Sequence, residues 1–213
     1  HSLSLPKPNM NNEKVISYLT KVRHLDPELL NRFISGGLVY ESEKYHDCVF
    51  VGKDEETGRA LHANLRSSFD GENCVKRNVP FSKGAWSFHY IGCGNKLYIF
   101  EAPIDLMSYL TLHPYAWEKN SYLALCGVSS LALNNQLKLY PRLNEVILCL
   151  DNDDPGKMAE ERITKELCHN PQVKDIQVLR PNLKDFNDDL KLKCGERIRI
   201  NHSPQVNQEV FHD

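Results

Sequence analysis

The stretch Val146-Ile147-Leu148-Cys149-Leu150-Asp151-Asn152-Asp153-Asp154-Pro155-Gly156 settles the fold class. Five apolar residues in a row, Val146 to Leu150, read as a strand buried on both faces, the pattern of a parallel rather than an antiparallel sheet. Acid follows at once, in Asp151, Asp153 and Asp154. Pro155 and Gly156 then open a helix whose apolar positions Met158, Ala159 and Ile163 share one face. Carboxylates at the exit of a parallel strand stand where open α/β sheets bind ligands. Hard oxygen donors one residue apart on a turn suit a magnesium ion acting on phosphates.

Working outward, the segments on either side repeat this grammar. Leu97 to Phe100 is an apolar strand ending in Glu101, and Ala102-Pro103 opens a helix with Ile104, Leu106, Met107 and Leu110 on its buried side. Ser121 to Cys126 is the next strand, followed by a helix carrying Leu131, Leu133 and Leu137. Asp175 to Leu179 is the fourth. Strands separated by helices of about a dozen residues are βαβ units, which right-handed crossovers turn into a parallel sheet of about four strands with helices on both faces. Glu101 and Asp151 each follow a strand directly, so both fall on one edge if those strands are neighbours, and Asp153 joins them from the turn. Glu101 is either a ligand or a general acid or base with its pKa raised by the aspartates. Asp154, before Pro155, is the expected helix cap. Asp105, four residues from Glu101 within a helical turn, is expected to support the site from behind.

The segment before residue 95 has a different period. Apolar residues at Val15, Ile16, Leu19 and Val22 mark a helix over 12–22, and Asp26-Pro27 starts a second that stops at Gly36-Gly37. The pair is either a packing cap or a nucleic-acid-facing hairpin. Leu38–Tyr40, Cys48–Gly52 and Arg59–Leu65 read as strands, with a turn at 54–58 and a further candidate at Trp86–Ile91, together a small antiparallel sheet. Of its basic residues Arg59, Arg66, Lys76, Arg77 and Lys83, Arg66 and Lys83 are the best candidates for contact with a nucleic-acid backbone. The expected organisation is a flexible lead-in at 1–11, a small α+β domain at 12–94, a catalytic α/β domain at 95–192 and a polar C-terminal extension at 193–213.

Composition narrows the function classes. The chain has 41% hydrophobic and 25% charged residues, as ordinary globular proteins do. No apolar run approaches a membrane span and no signal peptide opens it, so a cytoplasmic location is expected. Because residue 1 is His rather than Met, the natural protein is expected to be longer. Seven cysteines without a C-x-x-C pair argue against a zinc ribbon and for reduced thiols. The formal charge is −2, +1 up to residue 95 and −3 beyond it, so nucleic acid would have to be held by local patches and metal.

Three pieces then fit a known pattern in order: Glu101-Ala102-Pro103-Ile104-Asp105, Leu125-Cys126-Gly127-Val128, and Asp151-Asn152-Asp153-Asp154-Pro155-Gly156. They resemble the successive motifs of the Toprim domain, shared by bacterial primases, type IA and type II topoisomerases, overcoming-lysogenisation-defect nucleases and RecR. Lys184-Asp185-Phe186-Asn187-Asp188 resembles the element that closes the domain in primase-like members. The preceding segment is similar to an uncharacterised domain often fused to Toprim-like folds in plasmid and conjugative-element proteins, including LtrC-like ones. The resemblance implies a Toprim-like, Rossmann-like fold and Mg²⁺- or Mn²⁺-dependent phosphodiester chemistry. By position, Glu101 would be the motif glutamate, Asp151 and Asp153 the metal-binding pair, and Asp105, Lys184, Asp185 and Asp188 the supporting residues. Ala102-Pro103 stands where primases usually have Gly, which matches the mobile-element branch better.

The leading expectation is therefore a nucleic-acid-processing protein of a mobile element, with primase-like nucleotidyl transfer on DNA. Expected partners are single-stranded, plasmid or transposon DNA, nucleotides, and the element's replication or mobilisation proteins, with no membrane. The alternatives are a Toprim nuclease using the same acids to activate water, and a non-catalytic nucleic-acid-binding or assembly module. Nine histidines without a His-x-His pair argue against a relaxase.

Overall fold

The computed structural model describes residues 2–127 and 129–197. Val128 of the second motif and residues 198–213 of the extension lie outside the described residues.

Two sheets form. The first is antiparallel, in the order β1 (Val39–Glu41), β2 (Cys48–Lys53), β3 (Ala60–Arg66) and β4 (Lys76–Asn78). The second runs β5 (His89–Tyr90), β7 (Ser121–Ala124), β6 (Lys96–Phe100), β8 (Glu145–Leu148), β9 (Asp175–Val178). Its last four strands are mutually parallel, as expected from the apolar runs, while β5 adds an antiparallel edge against β7. That edge corrects the reading of Trp86–Ile91. Its strand leaves the small sheet for the large one, and the fourth strand of the small sheet is Lys76–Asn78, fully exposed and too polar to signal itself.

Strand alternation sorts the large sheet's side chains to two faces. Phe100, Tyr122, Ala124, Ile147 and Cys149 pack with α3 (Pro103–Leu112) and α6 (Phe186–Lys193). Leu97, Ile99, Leu123, Val146 and Leu148 pack with α4 (Leu131–Leu139) and α5 (Asp154–Cys168). The chain steps from β6 to β7 on one side, then crosses back to β8 on the other. Right-handed crossovers therefore put α3 on one face and α4 and α5 on the opposite one. The crevice between β6 and β8 is the topological switch point, where a ligand site is expected.

The N-terminal helices complete the α3 face. α1 (Glu13–Ser17) passes into a π-helical turn at Tyr18–Val22, and α2 (Pro27–Ser35) starts at Asp26, whose side chain accepts from Leu29 N as the Asp-Pro pair implies. Val15, Leu19, Leu30 and Phe33 share one core with Phe50, Phe88, Phe100 and Leu106. Residues of the lead-in run beside β1: Pro8 bridges Ser42, Asn9 N donates to Glu41 O at 2.8 Å, and Tyr40 OH donates to Pro6 O at 2.6 Å. The buried Glu41 side chain accepts from the backbone N–H groups of Lys14 and Val15, capping α1 from a distance in sequence. Gly52 lets the turn at Gly84–Trp86 lie directly against β2, since a Cβ there would run into the Trp86 carbonyl. No helix of the described residues is long and apolar enough to cross a membrane.

Candidate active-site cleft

Parallel register levels the ends of β6 and β8. Ile99 pairs with Leu148, and Cys149 N donates to Ile99 O at 2.8 Å. Glu101 and Asp151 thus leave the sheet side by side, and Glu101 Oε1 accepts from Asp151 N at 3.2 Å. Gly156 is required beneath them: a Cβ there would collide with the Asp151 carbonyl and come within 3.1 Å of Glu101 Oε1. The glycine lets the first turn of α5 close under both acids.

Asp153, not Asp154, caps that helix. Its Oδ1 accepts from Gly156 N at 2.9 Å, leaving Oδ2 3.9 Å from Lys184 Nζ, while Asp154 is the first helical residue. The expectation for Asp154 fails because Pro155 takes the second position of the helix, moving the cap one residue earlier. The Lys184–Asp188 segment is drawn in by Asn152 N, which donates to Lys184 O at 2.7 Å. Asp185 caps α6 through Asp188 N at 2.8 Å, and Asp188 stands behind it. Asp105, buried at the start of α3, accepts from Asn187 N at 3.3 Å.

These acids are short of positive charge. Burial, then repulsion from Glu101, Asp185 and Asp153, pushes Asp151 up to about 7, against a smaller opposing pull from Lys76. Burial also raises Glu101, as Asp153 does, and raises Asp105 well above the carboxylate range together with Asp185 and Asp151. Asp188 is raised by burial and then by Asp185. Among the described residues, no three His, Cys, Asp or Glu side chains already gather into a metal cage. The donor set nonetheless fits a divalent cation: hard carboxylate oxygens from two adjacent strand ends, mutually repelling and undercompensated.

The opposite wall of the cleft is basic and comes from the small sheet, through Arg66 and Lys76, and from the end of the π-helical turn, through Arg23. A cavity of about 220 Å³ has Arg23, Arg66, Lys76 and Lys184 facing Asp105, Asp151 and Asp185. A second, of about 380 Å³, continues past Lys76 and Glu101 to Cys126 and Gly127, where Asn78 Nδ2 donates to Cys126 O at 2.9 Å. Of the sequence candidates, Glu101, Asp105, Asp151, Lys184, Asp185 and Arg66 line these cavities; Asp153 and Asp188 do not, Asp153 lying 3.9 Å from Lys184 Nζ and Asp188 bonding through its N–H to Asp185. Lys83 does not join them: it is exposed beside Gly84, its N–H bound to Leu61 O.

Two residues escaped the sequence reading. Asn187 is 2% exposed; its Nδ2 donates to Arg23 O at 2.8 Å and Ser108 Oγ at 2.9 Å, and its Oδ1 accepts from Arg23 Nη1 at 3.1 Å. Arg23, which this amide fixes, enters the cleft from the end of the π-helical turn. The Asn within Lys-Asp-Phe-Asn-Asp was the one available signal for the first; nothing local marks the second.

Comparison with known proteins agrees with this architecture. Residues 98–190 match the family model described as Toprim-like, and residues 17–92 match that of a protein of unknown function, DUF3991. The uncharacterized protein pXO2-78 of Bacillus anthracis is 27% identical over 168 residues, 71% of this chain and 46% of that protein, so the chain spans about half the length of this curated relative. The primase fragment of the bacteriophage T7 primase-helicase superposes with a TM-score of 0.60 at 16% identity, over 82% of this chain and 68% of that one. The zinc-binding and RNA polymerase domains of Aquifex aeolicus primase give 0.51 at 18%, over 88% and 47%. A chain from a T7 lagging-strand DNA polymerase assembly, with primase domains bound to an RNA/DNA hybrid and dTTP, gives 0.52 at 17%, over 79% and 81%. At these identities the likeness is one of fold.

Proposed function

Since the chain carries a Toprim-like domain at 98–190 preceded by a DUF3991 domain at 17–92, we propose that it performs divalent-metal-dependent phosphodiester chemistry on nucleic acid, as primase-like nucleotidyl transfer on DNA. The observation that carries this reading is the meeting of Glu101 and Asp151 at the switch point, 3.2 Å from oxygen to backbone nitrogen, with Asp151 raised to about 7. Glu101, Asp151 and Asp153 would hold Mg²⁺ or Mn²⁺. When bound, such an ion supplies Lewis-acid stabilisation of charge on phosphate oxygens.

The chain's own residues do the rest. Gly156 and the α5 cap hold Asp151 and Asp153 in place, and Lys184 offsets charge on Asp153. Asp105 and Asp185 line the recess beside Asp151, and Asp188 holds Asp185 through its N–H. Lys76 and Arg66 face the acids across the cleft, where they would neutralise substrate phosphate. The expected partners are DNA and nucleotides, in a cytoplasmic setting with the replication or mobilisation proteins of a mobile element. The likeness to pXO2-78 and the tandem domain order support the mobile-element context.

A second reading, a non-catalytic nucleic-acid-binding module, draws on the fact that the described acids are not gathered into a metal cage. The test is primer synthesis on single-stranded DNA with nucleoside triphosphates and Mn²⁺. We expect product from the parent and a loss of at least about a hundredfold in Asp151→Asn. Cutting of DNA without triphosphates would favour a nuclease. Binding without turnover, unchanged in Asp151→Asn and Asp153→Asn, would favour the binding module. Unaltered Mn²⁺ titration in a variant carrying both substitutions would remove the metal site.

A further inference from the structure

The loop between β3 and β4 places a carboxylate on two of the cleft's arginines. Ser67 and Val75 close its base, with Ser67 N donating to Val75 O at 3.0 Å and Val75 N to Ser67 Oγ at 2.8 Å. Its tip carries Phe69, half exposed, and Asp70. A single oxygen, Asp70 Oδ1, accepts from Tyr18 OH at 2.8 Å, from Arg66 Nη2 at 3.1 Å and from Arg23 Nη2. Burial works to raise this carboxyl, but Tyr18 and the two arginines hold it below its usual value.

The three donors are built in rather than loose on the surface. Tyr18 is 3% exposed, and the Arg23 and Arg66 side chains are 13% and 19% exposed. Arg23 is clamped on its other nitrogens, Nε to Tyr18 OH at 2.8 Å and Nη1 to Asn187. Arg66 Nε is buried with no hydrogen-bond partner among the described residues, an unused donor beside an occupied one. A rigid pair of guanidinium forks recognises carboxylate and phosphate by the same geometry. Both arginines line the recess that holds Asp105 and Asp151.

We propose that Tyr18, Arg23 and Arg66 form a subsite for the phosphate tail of a nucleotide, and that the Asp70 carboxylate occupies it until such a ligand displaces it. The proposal rests on reading the cleft as a phosphate-handling site and adds a resident competitor to it. The tail of a nucleotide suits the recess better than a continuous backbone does. The recess holds about 220 Å³ and ends against Asp105 and Asn187, while the wider space lies beyond Glu101. Because Ser67 and Val75 close the base of the loop and its tip is tied to the cleft through Asp70, displacement needs to move only the residues around Asp70.

The test uses inorganic tripolyphosphate at low salt with EDTA present, so that no divalent metal takes part, and calorimetric titration as the readout. Asp70→Asn should bind about tenfold more tightly than the parent, and Arg66→Gln about tenfold more weakly. Asp70→Ser should behave as Asp70→Asn does, and thermal melts establish that each variant folds. In the parent, tripolyphosphate should speed chymotryptic cleavage after Phe69. Equal or weaker affinity in both folded Asp70 variants overturns the proposal, and so does an absence of tripolyphosphate binding in all variants. Tightening for a short single-stranded oligonucleotide but not for tripolyphosphate overturns the nucleotide assignment. The Asp70 effect should persist in Asp151→Asn, so losing the metal site would sink the function proposed above and leave this subsite standing.

Discussion

The acidic wall of the cleft comes from the ends of two adjacent parallel strands, whereas the basic wall comes from three separate places: the end of a π-helical turn, the last residue of β3 and the first of β4. The first is a product of sheet topology. Once β6 and β8 pair in parallel, Glu101 and Asp151 must emerge together, and the chain carries them as a local pattern of apolar run followed by acid. The second is a product of packing between sheets. Arg23 reaches the cleft only because α1 and α2 share a core with α3, and because Asn187 from α6 ties it there. One wall concentrates charge of one sign and is held apart from its counter-charges; the other meets its counter-charges within the fold.

The amide that joins the walls is the most exposed to attack by mutation. Asn187→Ala removes bonds to Arg23 O, Arg23 Nη1 and Ser108 Oγ in a buried setting, leaving those groups unpaired. We expect a loss of about 4 kcal/mol in urea-unfolding free energy, the sum of a few buried polar groups stranded at about 1–3 kcal/mol each with partial relaxation. A loss below about 1 kcal/mol would mean that the walls are held together elsewhere.

Next in size is a pH effect confined to the antiparallel side. His62 on β3 is 1% exposed and lies opposite Gly52. Burial first, then the charge of His89, lowers its pKa from 6.5 to about 4. His89, which adds to this shift, is itself paired with Glu55. Unfolded His62 takes up a proton near 6.5 and folded His62 only near 4. Its neutral burial is therefore without penalty above 6.5 and costs progressively more as pH falls toward 4, to a limit on the order of 3 kcal/mol. Denaturant melts at pH 7.5 and 4.5 should show most of this difference in the parent and much less in His62→Leu. An identical difference in both would transfer the acid sensitivity to other groups.

What could be read beforehand follows the same division. Parallel strands, their order of acids and the Asp26-Pro27 helix start are short-range signals, written in runs of a few residues. The antiparallel edge at β5 and the strand Lys76–Asn78 were not legible, because two exposed or short strands carry no hydrophobic period and are fixed by their partners. The same holds for the cap on α5. The sequence pointed to Asp154, and the cap falls one residue earlier on Asp153 because Pro155 takes the second helical position. Arg66 was legible as a basic residue on a sheet but not as a partner of Asp70, since Tyr18 and Arg23 approach it from another element.

The smallest expected effect has the opposite sign and separates the two walls most sharply. Asp105 is buried among Asp185 and Asp151, and burial with their repulsion holds its carboxyl far above the ordinary range. A folded-state pKa raised in this way favours the folded state at low pH, and that stability is lost as pH rises through the folded value. Asp105→Asn keeps an acceptor for Asn187 N and cannot ionise. In EDTA it should match the parent near pH 4, where the unfolded carboxyl is still substantially protonated, and exceed it by about 1–2 kcal/mol near pH 6, where the unfolded chain has ionised and the parent must carry or avoid a buried charge. A supporting residue on the basic wall should show no such gain: Arg23→Gln should be less stable at both pH values, because its bonds to Tyr18, Asp70 and Asn187 are already made within the fold. If Asp105→Asn were less stable at both, the surrounding structure would already compensate the carboxylate, and this wall would have no unmet charge to offer a cation.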